Sequence, residues 1–218
     1  GATSLSVRPE PLARRGGCTT LVDAGSAGPG NFHGLRSYVA EPSHVRVLAY
    51  LNISFPGIFA FSGPVMVGEC ADLRLLNARE CLECCRANRD LVVGIKVRVG
   101  NLAGGTSGIA PLDIALEVAD AAGLPVMTHI DLPPPTRAEI LERLRPGDVL
   151  THCFRPFPNA PLTADGWLRD EMVRARERGV IFDIGHGMGG FSFAMGRALL
   201  QHGVPPDVIS SDVHVLSE

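Results

Sequence analysis

The chain has 218 residues, 45% of them hydrophobic and 20% charged, with a formal net charge of −3. That is enough apolar material for one large core, and the charge balance offers no basic face for nucleic acid or an anionic membrane surface. No apolar run approaches the roughly 20 residues that span a bilayer, and no basic-then-apolar signal segment opens the chain. The first residue is Gly1 rather than Met, so the start is expected to be processed or cut.

Short apolar runs alternate with helical patterns, which predicts βαβ units around a parallel sheet. The first strand is expected over residues 19–24 and the second over 45–54. An apolar segment, 55–68, follows with Phe55, Phe59 and Phe61, suited to lining a pocket or a subunit interface. Leu75, Ala78, Leu82 and Cys85 then share one helical face. That pattern puts Cys81, Cys84 and Cys85 in an ordinary helix, since no second Cys or His pair follows at zinc-site spacing. The six cysteines are expected to be reduced, in the cytoplasm.

The third strand covers 91–99. The glycine-rich residues 100–108 follow, either a lid over the site or a plain connector. Leu112, Ala115, Leu116 and Ala119 mark the next helix, with Gly123 at its end. A strand over 125–130 leads to Pro133–Pro135 and then to Thr136 and Glu139, spaced as a capping box. Strands are expected at 148–154, 180–185 and 207–211. A helix carrying Leu168, Met172 and Ala175 lies between the first two and stops before Gly179. Seven strands fall one short of an eight-stranded (β/α) barrel, which needs ~250 residues. The expected fold is therefore an α/β barrel of the TIM type, (β/α)8, represented by strands 2–8. It forms a single domain over 1–218, incomplete at both ends. The competitor is an open doubly wound sheet, although no Gly-x-Gly-x-x-Gly follows the first strand.

Five residues fall at or near the C-terminal ends of five consecutive strands: Lys96, His129, His152, His186 and Asp212. In a barrel those ends converge on one face. Each also has an ordinary alternative, a hydrogen-bonded core histidine or a helix N-cap aspartate. Lys96 is the hardest to explain away. It shares a strand face with Gly94 and Arg98, opposite Ile95, Val97 and Val99, so it points into the interior, where an unpaired ammonium is costly. It serves either as a Schiff-base nucleophile or, carboxylated, as a metal ligand. Two neighbouring histidines favour the metal. Arg98 is a candidate anchor for a substrate carboxylate, or else pairs with a nearby Asp. The N–H groups at His186-Gly187-Met188-Gly189-Gly190, expected to open a helix, could hold an anionic group.

The chain resembles the amidohydrolase superfamily, specifically its dihydroorotase-like deacetylase branch. The resemblance rests on the run from Gly17 to Gly28 (GCTTLVDAGSAG), Gly94-Ile95-Lys96-Val97-Arg98, Thr128-His129, Thr151-His152-Cys153-Phe154, Phe182-Asp183-Ile184-Gly185-His186-Gly187 and Ser210-Ser211-Asp212-Val213-His214. It implies a distorted barrel with two divalent metals, usually zinc, bridged by a carboxylated Lys96. His129 and His152 would hold the more exposed metal. Asp212 would bind the buried metal and shuttle the proton, and His186 would contact substrate. The implied reaction is hydrolysis of an amide or related acyl bond of a small molecule by metal-activated hydroxide, with no nucleic-acid or membrane partner and a homo-oligomeric assembly. One departure is plain: the family's first-strand His-x-His is missing, since the first histidine is His33. The family's small β-sandwich is missing too. A lysine Schiff-base lyase on a barrel and a non-catalytic or fragmentary relative remain the alternatives.

Overall fold

The computed structural model describes residues 3, 5–59 and 65–217. Six parallel strands form one sheet: β1 (Thr20–Asp23), β2 (Arg46–Asn52), β3 (Val92–Val99), β4 (Val126–Ile130), β5 (Val149–Leu150) and β6 (Ile181–Phe182). Their spatial order is their chain order, β1 to β6, with every pairing parallel. A doubly wound sheet reverses direction at a switch point. This sheet never reverses, so it is half of a barrel wall.

The helices are α1 (Pro9–Gly16), α2 (Phe32–Leu35), α3 (Ala78–Ala87), α4 (Asn101–Gly104), α5 (Ala110–Ala122), α6 (Arg137–Arg143), α7 (Asp170–Glu177) and α8 (Phe193–Gln201). Local chemistry sets their ends. The Thr136 hydroxyl accepts from Glu139 N while the Glu139 carboxylate accepts from Thr136 N, completing the expected capping box of α6. Asn77 caps α3 and Ser192 caps α8. Gly123, in the left-handed conformation, ends α5.

The core lies between the convex face of the sheet and the helices. Ile95, Val97 and Val99 of β3 are fully buried there with Leu112, Ala115 and Ala119 of α5. Cys81 and Cys85 of α3 belong to the same core, and all six cysteines are free. The opposite face of β3 carries Lys96 and Arg98 on the concave side, as alternation requires.

Two expectations need correction. Residues 207–211 are not a seventh strand but two isolated parallel bridges to the β6 region, Asp183 to Val208 and His186 to Ser211. The segment does run alongside. Val208 N donates to Phe182 O, Ile184 N to Val208 O, His186 N to Ser210 O and Asp212 N to His186 O. The ladder lacks the bond from Ser210 N to Ile184 O, so pairing is interrupted mid-way. β5 and β6 are likewise shorter than expected, because His152 (φ 59°) and Gly185 (φ 52°) turn the backbone left-handed just beyond them. The second correction concerns Gly187, which opens only a short 3-10 turn (Met188–Gly190); the following helix begins at Phe193.

The glycine-rich residues 100–108 fold as α4 and a 3-10 turn. Asp131 accepts hydrogen bonds from Leu102 N and Ala103 N, and Cys70 N donates to Ala103 O. These bonds make the segment a pinned connector. In 55–68, Phe55 is partly exposed, while Phe61 lies outside the described residues. Among the described residues no helix is long and apolar enough to cross a membrane.

Candidate metal centre

β3 delivers Lys96 to the concave face, 4% exposed. The register places its neighbour Arg98 opposite His129 on β4. Lys96 packs against Gly25 just past β1: a Cβ there would sit 2.4 Å from Lys96 Cβ, and φ of +90° also suits only glycine. The Gly25 turn is held by Asp23, whose Oδ1 accepts from Gly25 N and Ser26 N. Among the described residues no acid lies within ion-pair distance of Lys96. Burial pushes its ammonium down to about 8, partly offset by the negative charge of Asp212.

His129 and His152 meet edge to face, ring centroids 4.7 Å apart at 84°. His129 Nε2 is buried without a hydrogen-bond partner, its closest acid being Asp131 Oδ2 at 3.8 Å. The His152 ring is held by Nδ1, 2.8 Å from Gly185 O. A carbonyl can only accept, so Nδ1 carries the proton and Nε2 keeps its lone pair. That Nε2 lies 4.0 Å from Asp212 Oδ2. Burial holds His129 well below the ordinary imidazole range, and burial with the Lys96 charge brings His152 to about 4. Both rings are therefore neutral at physiological pH, and the His152–Asp212 contact is not an ion pair there. The space around His152 is close-fitting. A Cβ on Gly190 would lie 2.5 Å from Nδ1, and one on Gly185 would lie 2.3 Å from Thr151 Oγ1.

Four of the expected residues are thus brought together: Lys96, His129, His152 and, at the half-exposed rim, Asp212. Among the described residues no three His, Cys, Asp or Glu side chains form a metal-binding group. The fit to a metal therefore depends on Lys96 as third donor. Two neutral imidazoles, one with an orphaned buried nitrogen, beside a lysine whose charges act on both, form a donor set suited to zinc once the amine is made anionic.

The remaining residues sit differently. His186 is exposed and stacks with Phe191 (5.2 Å) and Phe193 (6.5 Å), forming an aromatic wall at the rim. Gly187 packs against Asp212, whose backbone oxygen would be 3.0 Å from a Cβ there. Arg98 is not an open anchor: its Nη1 donates to Glu69 Oε2 at 3.1 Å, both side chains being buried. Sequence reasoning missed Glu69, which lies on an irregular segment without periodicity. Asp183 is a second such residue: it lies in the run from Phe182 to Gly187, where no spacing sets it apart. Arg155, three residues past His152, donates to Ile130 O and sits close enough for its charge to lower His129.

The chain is 40% identical to a deacetylase of Brucella anthropi over 98% of its length, and 39% identical over the same share to one of Agrobacterium fabrum. It spans about half of each curated relative, 52% in both cases. Among solved structures, a dihydroorotase superposes with a TM-score of 0.87 at 37% identity, over 100% of this chain and 56% of that one. An adenine deaminase superposes with 0.84 at 35% identity, over 90% and 52%. No family model matches the chain.

Proposed function

This chain is a relative of the dihydroorotase-like deacetylases of the amidohydrolase class, and from that premise we propose that the whole protein is a metal-dependent hydrolase. Its substrate is a small molecule with a C–N amide, or related acyl ester, bond. His129, His152 and a Lys96 carboxylated at Nζ would hold a divalent ion, zinc by the nature of the donors. Lys96 and Asp212 would serve a second ion. Bound metal supplies an acidified water and a polarised substrate carbonyl.

The chain's own residues do the rest. Gly185 O fixes the His152 tautomer, so that a lone pair rather than a proton faces the site. Asp212 Oδ2 accepts the proton given up by the attacking water and returns it to the leaving nitrogen. His186, Phe191 and Phe193 offer an apolar wall to the substrate beside Asp212. The six free cysteines suit a reducing compartment such as the cytoplasm.

The observation that carries this reading is the buried, unpartnered Nε2 of His129, set edge-on to His152 beside a buried lysine without an acid partner. A Schiff-base lyase would use the lysine but leave both imidazoles without a task. The test is metal analysis and peptide mass of the whole protein prepared with bicarbonate and zinc. Zinc should co-purify, the Lys96 peptide should carry an added carboxyl group under native conditions, and a chelator should abolish hydrolysis of an N-acetyl amino acid until zinc is returned. Borohydride trapping of Lys96 with indifference to chelator would replace this reading with the lyase.

A further inference from the structure

Asp183 lies just past β6 and is 3% exposed. Its backbone knits three segments together: Asp183 N donates to Leu150 O on β5, Cys153 N donates to Asp183 O, and Asp183 bridges to Val208. Its side chain does the same. Thr151 Oγ1 donates to Asp183 Oδ2 at 2.7 Å, and Ser210 Oγ donates to the same oxygen at 2.8 Å. Thr151 immediately precedes His152, and Ser210 stands two residues before Asp212. One carboxylate oxygen thus joins the two segments that carry the close pair His152 and Asp212.

Two features show why such a tie is needed. The ladder between 182–186 and 208–212 lacks one backbone bond at Ser210, where the hydroxyl bond to Asp183 stands in. His152 itself sits at φ 59°, a conformation a non-glycine residue keeps only where its surroundings enforce it. The second oxygen, Oδ1, is buried without a hydrogen-bond partner. A buried carboxylate left half satisfied is costly, so packing alone does not account for it.

We infer that Asp183 is a positioning residue: through Thr151 and Ser210 it sets the separation and orientation of His152 and Asp212. The inference rests on the hydrolase reading for its catalytic meaning, while the positioning is a property of the fold and can be measured without metal.

The test uses the whole protein with Ser210→Ala, Thr151→Val and Asp183→Ala, and Ser210→Thr as the conservative control. The first readout is amide hydrogen exchange. Ser210→Ala and Asp183→Ala should speed exchange at His186 and Asp212 by about tenfold or more while the β3 and β4 amides keep their rates. The second is a titration with cobalt(II) alone. Thr151→Val should change the visible absorption of the bound ion, since it frees the His152 backbone, and Ser210→Thr should match the parent. The third is hydrolysis of an N-acetyl amino acid, where Ser210→Ala should lower kcat by about tenfold with KM unchanged. Exchange accelerated equally across β3 to β6 would reduce Asp183 to a general stability role. Unchanged exchange at His186 and Asp212 would overturn the inference outright. A parent that binds no cobalt while the local exchange effect persists would overturn the hydrolase reading and the catalytic meaning, leaving the positioning itself upheld.

Discussion

Replacing Lys96 by methionine should make the metal-free protein more stable while ending its activity. Methionine has a comparable unbranched length and adapts to irregular space, so it can occupy the slot against Gly25 without a charge. Burial holds the Lys96 ammonium at about 8, against an ordinary 10.5. At ~1.4 kcal/mol per pH unit, keeping it protonated in the fold costs about 3 kcal/mol near neutrality. Below pH 8 the amine is charged in both folded and unfolded chains, and the full cost is present. Between 8 and 10.5 the folded form sheds its proton first, so stability rises with pH; above 10.5 the amine is neutral in both states and the cost is gone. The gain from Lys96→Met should therefore be about 2–3 kcal/mol at pH 7 and vanish towards pH 10.5. The same burial leaves about one Lys96 in ten uncharged at pH 7, against about one in three thousand for an ordinary lysine, which readies it for reaction with carbon dioxide. The assay is urea unfolding of chelator-treated, carbonate-free protein at pH 7 and 10. A variant less stable than the parent at pH 7, or a gain of equal size at both pH values, would refute the reasoning.

Asp212→Asn, isosteric but unable to accept the proton, should lower hydrolysis by at least about a hundredfold with little loss of the metal held by the histidines. Retention of activity within tenfold would remove Asp212 from that role. Gly190→Ala must push His152 off Gly185 O, since its Cβ would lie 2.5 Å from Nδ1. The expected result is metal affinity weakened about tenfold or more, read by competition with a chelator, at a stability loss of about 1–3 kcal/mol. Lys96→Ala should lose bound metal, and added propionate, placing a carboxylate in the vacated space, should restore part of the activity. Persistence of full metal content in that variant would show that Lys96 is no ligand.

The sequence by itself determined the alternation of strands and helices over most of the chain, several helix ends and the inward-facing side of β3. These depend on short-range chemistry: the period-two pattern of β3, the Thr136–Glu139 capping box and the left-handed Gly123 each lie within a few residues. The interior position of Lys96 followed in the same way, from alternation opposite Ile95, Val97 and Val99. The pairing of distant groups was decided only in three dimensions. Arg98 reads along the chain as a substrate anchor or the partner of a nearby Asp, yet Glu69, 29 residues earlier, takes its guanidinium. The 207–211 segment read as a strand from its apolar residues, but its ladder is broken because ladder bonds depend on the partner's path, which Gly185 turns left-handed. Asp183 carried no spacing signal of its own. Its role exists only because the fold brings Thr151 and Ser210, 32 and 27 residues away, to one carboxylate oxygen.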